Sequence, residues 1–372
     1  MKTAIYFTIF IGALWCTIIE AQGQGCVAVR SFSGSSGEIG SEAFLAKGTF
    51  LMGANSRYFR SYKHFGGTEE HLYRVEQGTE VINHSYFLDL SMTYGLTDRL
   101  YGTFTLPLVY HERSSMYEHG GNPPNGLGDR HRTYAQGLGD IRLTIGYWML
   151  DPAKHGMGNL SVGLGVKLPT GAYGAKGTFH NQGPERNETL ELTVDQSIQP
   201  GDGGWGGTFE LQGYRMLSHS LMLNGTFYYL VNPRETNGES ARNGRVPFSV
   251  PDQYAIRLGT TYITSIKGLS VYFGGRHECI PVYDLIGDSD GFRRPGYIIS
   301  AEPGINYSWN KFSLNVNVPI AVERNRTQSY LDKKNSTPEN RRHGDAAFAD
   351  YLINVGFAWR LSKRAPEMFN MH

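Results

Sequence analysis

The strongest constraint in this sequence is a two-residue alternation of oily and polar side chains that recurs along most of its length. From Tyr86 to Tyr94, one face of an extended chain would carry Tyr86, Leu88, Leu90, Met92 and Tyr94, and the other Phe87, Asp89, Ser91 and Thr93. Ile141, Leu143, Ile145, Tyr147 and Met149 are likewise set against Arg142, Thr144, Gly146 and Trp148. Leu160, Val162, Leu164, Val166 and Leu168 oppose Ser161, Gly163, Gly165 and Lys167, and near the end Tyr351, Ile353, Val355, Phe357 and Trp359 oppose Asn354, Gly356, Ala358 and Arg360. Strand side chains point alternately to opposite sides, so each segment predicts a strand with one apolar face. Aromatic residues gather at the ends of those faces, as a lipid–water interface favours.

The alternation yields about twelve candidate strands, near 43–60, 80–96, 99–113, 138–150, 157–169, 204–216, 220–232, 252–264, 268–281, 295–308, 311–324 and 348–361. The connections alternate as well. Those at 97–98, 151–156, 217–219, 265–267 and 309–310 are tight, whereas 61–79, 114–137, 170–203, 233–251, 282–294 and 325–347 are long and polar. A soluble β-sandwich would have to bury every oily face against another, and it offers no reason for every second loop to be short. The expected fold is therefore all-β: a transmembrane antiparallel up-and-down β-barrel of about twelve strands, with short periplasmic turns, long extracellular loops and both termini on the periplasmic side. After the first residues no run approaches the ~20 apolar residues of a spanning helix, and the negative mean hydropathy is compatible with a barrel because only alternate residues face lipid. The 47 glycines and 13% aromatic content suit many strands and turns.

Met1-Lys2, the uncharged, mostly apolar run Thr3–Ile19 and the small residues around Ala21 and Gly23 form a secretory signal pattern. The expected division is a signal peptide over 1–23, an N-terminal periplasmic or lumen-plugging segment over 24–42, an outer-membrane barrel over 43–361 and a tail over 362–372. Export leaves Cys26 and Cys279, which are either bridged or two free thiols. A net charge of +1 gives no electrostatic case for nucleic acid. The implied partners are outer-membrane lipid and a small-molecule solute, with no cofactor.

Histidines His111, His119 and His131 lie near Glu112 and Asp129, but their spacing matches no compact metal motif. Asp288-Ser289-Asp290-Gly291 opens like a calcium loop, lacks the later acids and is more simply a turn. His219-Ser220 is adjacent within a tight turn and makes no nucleophile–base pair, so no catalytic residue is assigned.

Several motifs carry a family resemblance: Tyr94-Gly95-Leu96-Thr97-Asp98-Arg99-Leu100, Gly137-Leu138-Gly139-Asp140 at a strand opening, Lys167-Leu168-Pro169-Thr170-Gly171 at a strand end, Gln199-Pro200-Gly201-Asp202-Gly203, and Arg276-His277-Glu278-Cys279-Ile280-Pro281. In this order, from about Thr79 to Leu361, the chain resembles the outer-membrane transporter family named for the meta-cleavage pathway of phenol degradation. It departs from that pattern at Cys279, where glycine is expected, and at Asp202. The resemblance implies a channel for passive passage of a small hydrophobic or aromatic solute. The alternative is a structural or adhesion barrel acting through its extracellular loops.

With oily faces toward lipid, the lumen would receive Asp89, Arg142, Lys167, Glu210, Arg257, Arg276, Glu278, Glu302 and Arg360. Mixed signs suit cross-strand ion pairs or a solute-selecting constriction. Arg276 and Glu278 share one face, next to Arg257 on the preceding strand, and form the expected centre of a constriction to which Glu302, Glu210, Arg142 and Lys167 contribute.

Overall fold

The computed structural model describes residues 44–361 except 153, 242 and 243. The segments 1–23, 24–42 and 362–372, and Cys26 with them, lie outside the described residues. A closed antiparallel barrel of 12 strands is formed: β1 (Phe50–Gly66), β2 (Ile82–Gly95), β3 (Leu100–Ser115), β4 (His131–Leu138 and Arg142–Trp148), β5 (Gly158–Lys167), β6 (Gly206–Met216), β7 (Leu221–Val231), β8 (Gln253–Ile263), β9 (Leu269–Ile280), β10 (Gly296–Trp309), β11 (Phe312–Asn317 and Ile320–Asn325) and β12 (Ala346–Arg360). Each strand pairs with its sequence neighbour, and β12 returns to β1 in the register Met52↔Trp359 to Phe65↔Ala346. No helix among the described residues is long and apolar enough to cross a membrane.

Burial is inverted relative to a water-soluble protein. On β2, Tyr86, Leu88, Leu90 and Met92 are exposed while Asp89 and Ser85 are buried; on β5, Leu164 is 64% exposed and Lys167 only 1%. Apolar side chains open to the exterior and charged ones sealed inside are the arrangement that hydrocarbon outside requires. Aromatic rows mark both edges of the apolar band. Tyr58, Tyr86, Tyr110 and Tyr134 stack in sequence at 4.8, 5.8 and 6.4 Å between centroids on one sector, and Tyr229, Tyr254, His277 and Tyr297 at 5.9, 5.5 and 5.5 Å on another. At the opposite rim Tyr307, Trp309, Phe312, Phe357 and Trp359 form a similar group. The protein is an outer-membrane β-barrel.

Three details differ from the sequence expectation. β1 spans 50–66 rather than 43–60, because a register irregularity around Ser61–Lys63 breaks the two-residue period. Residues 44–46 turn inward instead. Phe44 packs against Trp148, Tyr214, Met216 and Met222 at the short-turn end of the lumen, and Arg360 donates to its carbonyl at 2.8 Å. β4 and β11 are each interrupted, β11 at Val318-Pro319, where proline can donate no ladder bond. The long loops also carry structure, including the hairpin Lys176–Gln182/Glu188–Thr193 and the helices Tyr73–Glu76 and Tyr330–Lys334.

A membrane-confined photoreactive probe is expected to label Leu88, Leu164 and Val355 and to spare Phe87, Ser161 and Ala358. Leu164→Arg should lower the barrel's unfolding free energy by about 2–4 kcal/mol, measured by denaturant titration in liposomes.

Candidate functional site

The lumen is occupied in layers. Nearest the short turns, Phe44 packs inward against Trp148, Tyr214, Met216 and Met222. Above it lies a belt of ionised side chains delivered by the inward parity of the strands. Arg142 on β4 donates to Asp89 on β2 at 3.0 Å, and Arg276 donates to Glu278 on the same strand at 2.9 Å. Arg257 on β8 faces Glu302 on β10 at 3.2 Å, with its Nε–H not aimed at the oxygen, while its guanidinium lies 3.9 Å over the Tyr272 ring. Arg57 on β1 stacks on Phe87 at 4.5 Å and stands within electrostatic reach of Glu278 across the barrel. Glu210 accepts from Thr144 at 3.4 Å. Charges removed from water must be paired, and removing one partner leaves an uncompensated buried ion.

The residues expected to make a constriction thus divide. Arg257, Arg276, Glu278 and Glu302 do gather on β8–β10, and Arg142 joins the belt from the far side with Asp89, a partner not included in the expected constriction. Lys167 is not in the belt. It sits at the end of β5 and binds Asp202, with Asp140 at 3.8 Å.

This lysine anchors a knot of three backbone segments at the β4 interruption. The lower half of β4 pairs with β5 as far as Arg142↔Lys167, whereas the upper half pairs with β3 alone, from Leu108↔Leu138 to Ser115↔His131. Above Lys167 the strand-to-strand wall is therefore open, and the gap is laced by loop contacts. Asp140 accepts from the amides of Gly171 (3.0 Å) and Asp202 (3.1 Å), Thr170 Oγ1 donates to the Gly139 carbonyl (2.8 Å), and the Ile141 amide donates to Thr170 Oγ1 (2.9 Å). Glycine is required here by proximity: a Cβ on Gly201 would lie 2.6 Å from the Gly171 carbonyl oxygen, and one on Gly171 2.8 Å from Gly201 Cα. Asp202, irregular in the sequence motif, is the counter-ion of Lys167.

Beside the knot lies an open-mouthed cavity lined by Phe87, Pro107, Val109, Phe248 and Ile280 on its apolar side. Gln196, Gln199, Asn237 and Gln253 supply polar groups, and Arg142, Lys167, Arg293 and Arg294 border it. The long loops close over the top. Arg294 binds Asp195 through two bonds at 2.7 and 2.8 Å, and Arg113 reaches Glu118 at 3.0 Å and Asp195 at 3.6 Å. Arg293 binds Asp284, whose carboxylate accepts from the Asp252 amide at 2.9 Å. Burial pushes the Asp195 carboxyl up, but Arg113 and Arg294 more than offset this and hold it well below the ordinary carboxylate range. At the next loops Asp345 is depressed in the same way, burial being outweighed by the hydrogen bond from His64 and the charge of Arg74.

Among the loop histidines, His119 and His131 do meet, at 5.2 Å between rings, joined by His180, whereas His111 lies apart against Phe87. His119 Nδ1 accepts the His180 amide at 3.1 Å, which leaves its proton on Nε2 and is unsuited to metal ligation. Cys279 is buried, with its thiol against the Tyr254 phenol. Asp288–Gly291, expected as a turn, is irregular loop with a bend only at Gly291, and the Ser289 hydroxyl accepts the Asp284 amide at 2.9 Å. Alternation could not reveal Asp140, Asp202, Asp195, Gln196, Gln199 or Arg293, because all lie off the regular strands. Asp140, Gln199 and Asp202 stood in glycine-containing motifs, whereas Asp195, Gln196 and Arg293 stood in none.

No protein-family model and no curated protein matches the sequence. Among solved structures, an outer membrane channel from Pseudomonas putida F1 superposes with a TM-score of 0.55 at 14% identity, covering 85% of this chain and 97% of the other. At that identity the likeness establishes the fold. The monoaromatic hydrocarbon channel CymD (TM-score 0.42, 9% identity, 92% and 99% covered) and the β-domain of the Bordetella autotransporter BrkA (0.43, 13%, 84% and 99%) are more distant and carry no functional weight.

Lys167→Met should leave Asp140 and Asp202 facing each other and lower the unfolding free energy by about 3 kcal/mol, read by denaturant titration. Asp195 and Asp345 have depressed folded-state values, so their contribution to loop closure is present above the unfolded carboxylate value of about 3.9 and is lost as pH falls below it. Amide-exchange protection over 282–295, taken relative to the intrinsic rate at each pH, should hold from pH 5 to 8 and fall progressively below about pH 4.

Proposed function

We propose that this barrel is a passive outer-membrane channel for a small hydrophobic or aromatic solute, and that the cavity beside the β4 interruption is where the solute rests. The observation that carries this reading is the placement of a part-apolar cavity, faced by Phe87, Val109, Phe248 and Ile280, directly behind a stretch of wall held by loop contacts instead of strand pairing. A part-apolar recess with several amides and bordering charges suits a ligand of modest size whose apolar body meets Phe87, Val109, Phe248 and Ile280.

The layers around the cavity point the same way. Below it stand the belt of Arg57, Arg142, Arg257 and Arg276 with their carboxylates, and beneath that the Phe44 cluster. An uncharged solute gains nothing by displacing those pairs and would leave them unsatisfied. In this reading Arg257, Arg276, Glu278, Glu302, Glu210 and Arg142 form the barrier that denies ions an open pore, and Lys167 holds the knot. The P. putida protein of similar fold is itself described as an outer membrane channel.

Uptake of a radiolabelled monoaromatic hydrocarbon, measured in a strain devoid of its own hydrophobic channels, tests the proposal. Expression should raise the initial rate several-fold; Val109→Arg, which puts a charge in the cavity, should abolish the gain while leaving the heat-modifiable barrel intact. Equal rates with and without the protein, or full activity in Val109→Arg, would overturn it. Phe44→Ala should add a small ion conductance in planar bilayers without changing hydrocarbon uptake.

A further inference from the structure

The outward face of β1 and β12, above the aromatic row, carries a group of charges that the transport reading does not use. Arg60 lies one pleat above Tyr58, is exposed, and places its guanidinium 4.3 Å over the Tyr62 ring. Lys63 stands at 6.0 Å from the same ring. Register irregularities between Phe59, Ser61 and Lys63 insert Tyr62 as an extra residue on β1, opposite a matching shift on β12. Bulges of this kind re-aim side chains, and here the effect is to bring Arg60, Tyr62 and Lys63 to one spot on the rim. Asp350 is the carboxylate at its centre: it takes Lys63 at 3.1 Å, Arg324 at 2.6 Å and the Tyr62 hydroxyl at 3.0 Å.

The charges do not balance. Lys63 and Arg324 share Asp350, and among the described residues no carboxylate lies within ion-pair distance of Arg60. Of the nearby acids, Glu323 accepts from the Tyr297 phenol and Glu112 pairs with Arg132 at 2.9 Å, while Glu69 and Glu70 lie opposite Gly66 and Phe65 and make no ion pair with Arg60. His84, the neighbour of Arg60 on β2, shares its Nδ1 with the Tyr58 hydroxyl at 3.0 Å. A guanidinium held over an aromatic ring without a carboxylate partner keeps N–H groups for an anion, and phosphate is one that its fork fits.

Tyr58 and Tyr86 set the height of the lipid interface in this sector, so Arg60 and Lys63 stand at headgroup level. We propose that this patch binds a phosphate of an outer-leaflet glycolipid, with Arg60 and Lys63 as the phosphate ligands and the Tyr58–Tyr86 pair against the acyl-chain boundary. The site faces away from the lumen and stands independently of what the channel conducts.

Native mass spectrometry of the full-length barrel released from detergent tests this with lipid A bearing two phosphates, the same lipid enzymatically dephosphorylated, and inorganic phosphate as probes. Wild-type protein should retain the phosphorylated lipid on the order of twentyfold more strongly, roughly fivefold for each cation, and millimolar inorganic phosphate should not displace it. Arg60→Gln/Lys63→Gln should lose that preference, with heat-modifiable migration confirming a folded barrel, whereas Arg132→Gln, elsewhere on the rim, should keep it. Equal retention of the two lipids by the wild type, an unchanged preference in the double variant, an equal loss in Arg132→Gln, or displacement by free phosphate would each overturn the assignment.

Discussion

An unpaired strand edge in hydrocarbon leaves a row of amides and carbonyls without partners, at several kcal/mol for each group. The pairing of β12 with β1 removes that edge, and the rest of the molecule follows from it. Once the ladder closes, every residue of one parity faces lipid and every residue of the other is enclosed. The enclosed set includes Arg57, Asp89, Arg142, Lys167, Arg276, Glu278 and Glu302, all buried.

Burial of so many ions is tolerable only because each finds a partner within the confined lumen, and this governs what the interior can be. A barrel of this size lies between the filled eight-stranded and the open sixteen-stranded forms. Its belt of guanidiniums and carboxylates makes the middle of the lumen polar, with the Phe44 cluster packed nearer the short turns. The cavity survives above the belt, where the lining changes to Phe87, Val109, Phe248 and Ile280. The cavity therefore mixes apolar side chains with bordering charges, and it lies beside the stretch of wall where strand pairing stops.

That interruption is bridged by close glycine contacts and one buried lysine. Where β4 leaves the ladder after Leu138, the backbone groups it would have paired are taken up by Thr170, Asp140 and the segment through Gly201. Gly171 and Gly201 touch backbone to backbone, which no side chain would permit. Loop contacts can exchange with less disruption than a cooperative strand ladder, since fewer bonds must break together.

How much of this was legible in the chain alone follows from the range of the forces involved. Alternation is local: Leu88 and Asp89 take opposite sides whatever their neighbours do, so the all-β barrel, the strand count, the alternating loop lengths and the inward set from Asp89 to Arg360 could be inferred before any fold was known. The first strand was misplaced because the irregularity at Ser61–Lys63 interrupts the period, and the inward turn at Phe44 has no periodic signature at all. Pairing partners are a different matter. Whether Lys167 meets Glu210 or Asp202, and whether Arg142 meets Asp89 or the Arg257 group, depends on strand stagger around a closed ring and on where irregular loops re-enter it. The motifs around Gly139, Gly171 and Gly201 were visible as words, but only tertiary structure brought them together, because residues far apart along the chain meet only when the ring closes.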